Sequence, residues 1–136
     1  MASQDEYEID VGEAIGADDG AAIQCLTLYI PSQDRNGVAF DQRPWVEEGL
    51  RLLSAIGGGA TALPAVDGAW LNPETQELIR EKVVLAYTYV DAEKFVAMLP
   101  ALRAFLHRLG RETDQGETVF EFDDRLYKIR TYDRNR

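Results

Sequence analysis

The chain has 136 residues, 24 of them acidic against 14 lysines and arginines, and a formal net charge of −10. Its length fits one domain with a substantial buried core, and no apolar run approaches the ~20 residues of a membrane-spanning helix. Acidic surface repels nucleic acid, whose binding depends on cationic contacts to phosphate. The composition therefore predicts a cytoplasmic protein with neither a nucleic-acid nor a membrane partner.

Much of the negative charge is concentrated at the start of the chain. Residues 1–20 contain seven acids and no base. The apolar residues over 7–11 alternate with acids, which is the period of a half-exposed strand, whereas the composition that follows is typical of a segment that does not fold alone. Two interpretations stay open: disorder in isolation, or a strand added to its own or another protein's sheet. We predict an acidic segment over 1–22, available to a basic protein partner, and a folded domain over 23–136.

The hydrophobic period and the turn residues of the folded domain predict alternating strands and helices. Pro44 suits the first turn of a helix. In the second helix, Pro100 predicts a kink or a split because proline removes a helical hydrogen bond, and Gly110 predicts the C-terminal cap. The predicted elements are a strand over 24–30, a helix over 44–57, an interrupted strand over 61–71, a strand over 78–90, a helix over 91–110, and a hairpin of 118–122 with 125–132.

This order of elements is the split βαβ pattern, which folds as an antiparallel sheet with both helices on one face. We therefore predict an α+β fold of the ferredoxin-like βαββαβ type, with an extra C-terminal hairpin strand. The same fold carries many unrelated activities, so it identifies no chemistry.

The two faces of the predicted sheet are both apolar. Small aliphatic side chains such as Leu28 and Ala86 form one face, which suits packing under two helices. Large exposed apolar patches are uncommon on soluble monomers, so we expect the other face to be covered by a second copy, the N-terminal segment, a small molecule or a different protein, with a homodimer favoured. The residues of this predicted interface or pocket are Tyr29, Val83, Leu85, Tyr87 and Tyr89, joined by Trp70.

Few residues in the sequence point to chemistry. Glu81 is the candidate catalytic residue, because a carboxylate on a covered sheet face would have a raised pKa and could act as a general base. Its basic neighbours Arg80 and Lys82 favour instead a solvated carboxylate. A single histidine, His107, and a single cysteine cannot form a metal cluster or a disulfide. We predict no metal and no cofactor, and expect His107 at the surface.

One stretch of the sequence carries a resemblance to a known group of proteins. It runs Gly57-Gly-Gly-Ala-Thr-Ala-Leu-Pro-Ala-Val-Asp-Gly-Ala-Trp70 and continues through Glu81-Lys-Val-Val-Leu-Ala-Tyr-Thr-Tyr-Val90. This stretch resembles a group of small bacterial proteins of unknown function with a ferredoxin-like domain. The resemblance covers about half the chain, leaves the acidic N-terminal segment outside, and carries no catalytic motif. It implies a fold and no activity.

Three functional hypotheses follow from these features. The leading one is a non-catalytic interaction module that self-associates through its aromatic sheet face and offers its acidic tail to a basic partner. The first alternative is a small-molecule sensor or cofactor-independent enzyme of the dimeric α/β-barrel kind. The second alternative is an accessory protein in a phage-conflict or toxin–antitoxin system.

Overall fold

A computed structural model describes residues 8–20 and 22–134 of the chain. Its strands form one antiparallel sheet in the order β2-β4-β1-β5-β6, with β3 also paired to β4. The predicted ferredoxin-like α+β fold is therefore confirmed, including the extra hairpin strand, β6. The elements are α1 (Val11–Ile15), β1 (Cys25–Ile30), α2 (Arg43–Gly57), β2 (Thr61–Ala62), β3 (Val66–Leu71), β4 (Leu78–Tyr89), α3 (Ala92–Glu112), β5 (Thr118–Phe122) and β6 (Arg125–Ile129).

The hydrophobic core lies between one sheet face and the helices α2 and α3. Alternate side chains of β1 are fully buried, because β1 runs through the middle of the sheet and successive residues point to opposite faces. Leu53 and Ile56 of α2 and Leu109 of α3 meet this face and are inaccessible to solvent. Burial of such side chains is the dominant favourable term in folding.

The helix α2 ends close against the sheet. Its C-terminal cap is Gly58, whose φ of +89° is in the left-handed region that favours glycine and whose N–H donates to the Ser54 carbonyl at 2.8 Å. At Gly57, a Cβ atom would collide with the Thr88 side chain and the Tyr89 carbonyl oxygen. The close approach of helix and strand therefore requires glycine at this position.

The helix α3 differs from its prediction in two respects. It runs unbroken through Pro100, where a split was one expected outcome. Pro100 and Val96, whose carbonyl loses its helical partner, are both exposed, so water can satisfy that carbonyl. The prediction of a cap at Gly110 is wrong, because the helix continues to Glu112.

The segment after β6 explains this extension and also the burial of His107. It folds back along α3, with Tyr132 packed so closely on Gly110 that a Cβ there would collide with its ring. The Asp133 N–H donates to His107 Nδ1 at 2.8 Å, and Arg103 donates to the Asp133 carboxylate at 2.7 and 2.9 Å. His107 is therefore buried, and its expected surface position is wrong.

The described part of the acidic segment contains a short helix instead of the alternative predicted strand. Residues 8–10 have no regular structure, and α1 follows. The Asp10 carboxylate accepts the Glu13 N–H at 3.0 Å and so caps the helix. Tyr7, the first residue of the predicted alternation, lies outside the described residues.

Candidate functional site

A two-stranded ribbon projects from one end of the sheet. Its strands are β3 and the first half of β4, paired from Val66 with Val83 to Leu71 with Leu78. Because β1 pairs with β4 only from Val84 onward, this ribbon continues past the neighbouring strands. Asn72 shapes the turn at its tip, where the side-chain oxygen accepts the Glu74 N–H at 2.9 Å.

An open cleft of about 690 Å³ lies between the ribbon and two loops. The ribbon contributes Trp70, Ile79 and Glu81, while the loop over 33–37 after β1 and the loop over 115–117 before β5 form the other walls. A narrower hollow of about 260 Å³ shares Trp70 and Glu81 and reaches down to the sheet. The two hollows adjoin, because Trp70, Glu81, Gln115, Glu117 and Val119 line both.

Glu81 is a half-buried carboxylate in the cleft wall. Its Oε2 atom accepts the Ser32 backbone N–H at 3.3 Å, and within the described chain no cationic side chain lies at ion-pair distance from it. The basic neighbours that the sequence offered do not neutralise it, because adjacent strand residues point to opposite faces. Lys82 instead pairs with Asp67 at 2.7 Å. The Glu81 side chain therefore lines the cleft without an ionic partner among the described residues.

Trp70 lies on the same side of the ribbon as Glu81. It pairs with Ile79 across the ribbon, and the opposing residue of Glu81 is Gly68. A Cβ atom at Gly68 would approach a Val83 methyl carbon to 3.0 Å, so the small residue keeps the strand close. The indole is 49% exposed and is available to a ligand in the cleft.

The two loops that form the other walls of the cleft are connected to each other by a hydrogen bond and an ion pair. The Gln115 side-chain amide donates to the Gln33 carbonyl at 2.7 Å, and Arg35 pairs with Asp114 at 2.8 Å. Glu117 has its charge offset by Arg130 at 3.3 Å and by Lys128 at 3.9 Å. Sequence reasoning did not predict this wall. The only local indication was the turn residues of the loop over 33–37, which do not show that the loop lies beside the one over 115–117.

The predicted interface residues divide between two places. Trp70, Tyr29 and Val83 line the narrower hollow together with Glu81. Leu85, Tyr87 and Tyr89 continue along β4 on the helix-free side of the sheet, which we call the open face, and lie outside the hollow. Tyr87 and Tyr89 contact each other edge to face at 6.4 Å, and Tyr89 is 54% exposed.

Tyr29 joins the hollow to the open face. Its hydroxyl donates a hydrogen bond to the Glu121 carboxylate on the adjacent strand β5. Burial, followed by this hydrogen bond, raises the pKa of Tyr29 to about 12. The phenol is therefore neutral in the narrower hollow, where it donates a hydrogen bond to the Glu121 carboxylate. The sequence alone contains no register that would pair Glu121 with Tyr29.

The described residues contain no group of three or more histidine, cysteine or acidic side chains that could hold a metal ion. None of the helices in this part of the chain is long and apolar enough to cross a membrane.

Comparisons with known proteins bear on the fold. No family model and no curated protein sequence matches the chain. A solved structure of a phage SAM lyase in complex with S-methyl-5′-thioadenosine is similar, with a TM-score of 0.58, 14% identity, and coverage of 82% of this chain and 92% of that chain. A phage SAM lyase in the apo state gives a TM-score of 0.54, 13% identity, and coverage of 84% and 94%. At these identities the likeness is one of fold, and the resemblance to small bacterial proteins stays a prediction.

Proposed function

We propose that the cleft binds a small nucleoside sulfonium of the S-adenosylmethionine class. The observation that carries the proposal is the Glu81 carboxylate, without an ionic partner among the described residues, beside the exposed Trp70 ring in a cleft of about 690 Å³. This volume lies within the range of roughly 300–1,000 Å³ that is usual for small-ligand sites. The proposal develops the small-molecule alternative from the sequence.

The chemistry of the two side chains matches such a ligand. A sulfonium sulfur carries a permanent positive charge, which a nearby carboxylate such as Glu81 attracts. The face of a tryptophan ring also attracts cations and stacks on nucleic-acid bases, so Trp70 suits either end of the ligand.

The similar solved structures support this class of ligand. Both are SAM lyases by their descriptions, and one contains S-methyl-5′-thioadenosine. Conversion of SAM into that compound keeps the methyl and adenosyl groups on sulfur and breaks the bond from sulfur to the aminocarboxypropyl group. The electron pair of that bond stays on sulfur, and a reaction without a second substrate balances when the departing carbon bonds to the carboxylate oxygen of its own group. The sulfonium thereby becomes a neutral thioether, which Glu81 would hold less tightly. We therefore infer a preference of this cleft for the cation, with lyase activity as the reaction to assay.

Calorimetric titration of the chain with S-adenosylmethionine and with S-methyl-5′-thioadenosine tests this proposal. We expect Glu81→Gln to weaken binding of the sulfonium by about tenfold or more, corresponding to at least ~1.4 kcal/mol, and to change binding of the thioether little. Trp70→Ala should weaken the binding of both ligands.

The matched control is Glu77→Gln, which neutralises an exposed acid on the same ribbon and should bind like the unaltered chain. Absence of binding by the unaltered chain at about 1 mM ligand, equivalent to about −4.1 kcal/mol, would show that the proposal is wrong. Mass spectrometry of the incubation mixture reports whether the thioether is formed.

A second candidate function is self-association through the open face. The observation that favours it is the edge-to-face pair of Tyr87 and the half-exposed Tyr89 on the open face, where Leu126 of β6 is also 54% exposed. Sedimentation of a Tyr87/Tyr89 double variant tests it. An accessory role in phage conflict or a toxin–antitoxin system stays a prediction.

A further inference from the structure

The described part of the N-terminal segment, residues 8–20 with 22 and 23, carries apolar side chains that the other described residues leave exposed to solvent. We call these residues the arm. Ile15 and Ile23 are 80% and 83% exposed, Ile9 and Val11 are also exposed, and none of the residues of α1 is buried. Helices as short as α1 are marginal in water without packing. A partner surface would bury these side chains and stabilise α1.

The outer face of the ribbon, opposite the cleft, is a second apolar surface without cover in the described chain. Leu71 and Leu78 pair across the ribbon there and are 57% and 51% exposed. Two-stranded hairpins are marginally stable alone, and a third layer stabilises them. This face would therefore gain stability from an apolar partner.

The arm and the outer face of the ribbon have opposite charge. The described arm holds five acids, Glu8, Asp10, Glu13, Asp18 and Asp19, and no base. The outer face carries Arg80 and Lys82 with one acid, Asp67, paired to Lys82. Complementary potentials of this kind favour association and fix its orientation.

The length of the arm prevents it from reaching its own ribbon. The Gln24 carbonyl accepts the Val90 N–H at 2.9 Å, so the arm starts at the Val90 end of β4. Leu78 is twelve residues away along the strand, or about 38 Å. While α1 and its Gly16 cap stay folded, residues 17–24 can span at most about 29 Å.

We propose that the arm of one copy of this chain docks on the outer face of the ribbon of a second copy. Ile15 and Val11 would cover Leu71 and Leu78, with the acids of the arm toward Arg80. The opposite face of the same ribbon forms one wall of the cleft, so this docking also holds the cleft wall in place. The inference stands on the arm and the ribbon alone and does not require the proposed ligand.

Sedimentation equilibrium of the full chain tests the docking. We expect the unaltered chain to associate at tens of µM, and Ile15→Asp or Arg80→Glu to raise the dissociation constant about tenfold or more. The combined charge exchange, Glu13→Arg with Arg80→Glu, should recover most of the affinity. The control Val96→Asp places the same new charge on an exposed apolar position of α3 and should not alter association.

A monomeric unaltered chain at these concentrations would overturn the proposal and would indicate a foreign basic partner or the chain's own open face as the cover for the arm. Association that is insensitive to both single variants would also overturn it. Ile15 contacts no core residue, so its variant should remain folded, as circular dichroism checks. Because neither variant touches the cleft, failure here is distinct from failure of sulfonium binding.

Discussion

Among single residues, Tyr29 shows how the sheet alters the chemistry of a side chain. Burial and the hydrogen bond to the Glu121 carboxylate both favour the neutral phenol, so the pKa rises from 10.0 to about 12. The folded-state pKa lies above the unfolded value. The stabilisation is therefore fully present below pH 10 and is lost as the pH rises through 12.

Spectrophotometric titration of the tyrosines tests this assignment. Tyr29→Phe should remove the amplitude of one phenol from the absorbance step near pH 12, because Tyr29 ionises late. Tyr132, whose pKa is also raised by burial, remains in this variant. An unchanged step in Tyr29→Phe would contradict the hydrogen bond to Glu121.

At the scale of elements, the strands could be predicted more fully than the cleft. Alternation along β1 and β4 is local information, and it assigned Leu28 and Tyr87 to opposite faces from the sequence. The burial of His107 depends on contacts with a segment 26 residues later, which no local pattern contains. The cleft likewise depends on the register of β4 against β1, which leaves the ribbon and Glu81 beyond the shared sheet.

A substitution at Gly57 tests the close approach of α2 to β4. Gly57→Ala should destabilise the fold by roughly 1–3 kcal/mol, because the added methyl collides with a backbone carbonyl and the Thr88 side chain, and overpacking costs about this much. Urea unfolding followed by circular dichroism measures the loss. Gly59→Ala, two residues on, adds the same methyl to open space and is the control. Equal midpoints for both variants would contradict this packing.

At the scale of the whole molecule, two surfaces are candidates for assembly and lie on different parts of the sheet. The open face holds Tyr87 and Tyr89 at the end of β4 near the root of the arm, whereas the ribbon occupies the other end of β4. Variants in one surface therefore leave the other intact. The two contacts could coexist, and each must be tested separately.

Replacement of Tyr87 and Tyr89 together by glutamate tests the open face. If this face is the main interface, the double variant should sediment as a monomer, because two desolvated carboxylates oppose burial, while the fold persists since Tyr89 is 54% exposed and Tyr87 only half-buried. The exposed pair Val96→Glu and Glu93→Gln on α3 serves as the control. A double variant that remains assembled, combined with loss of assembly in Ile15→Asp, would reject the open-face interface and leave the arm as the contact that holds the copies together.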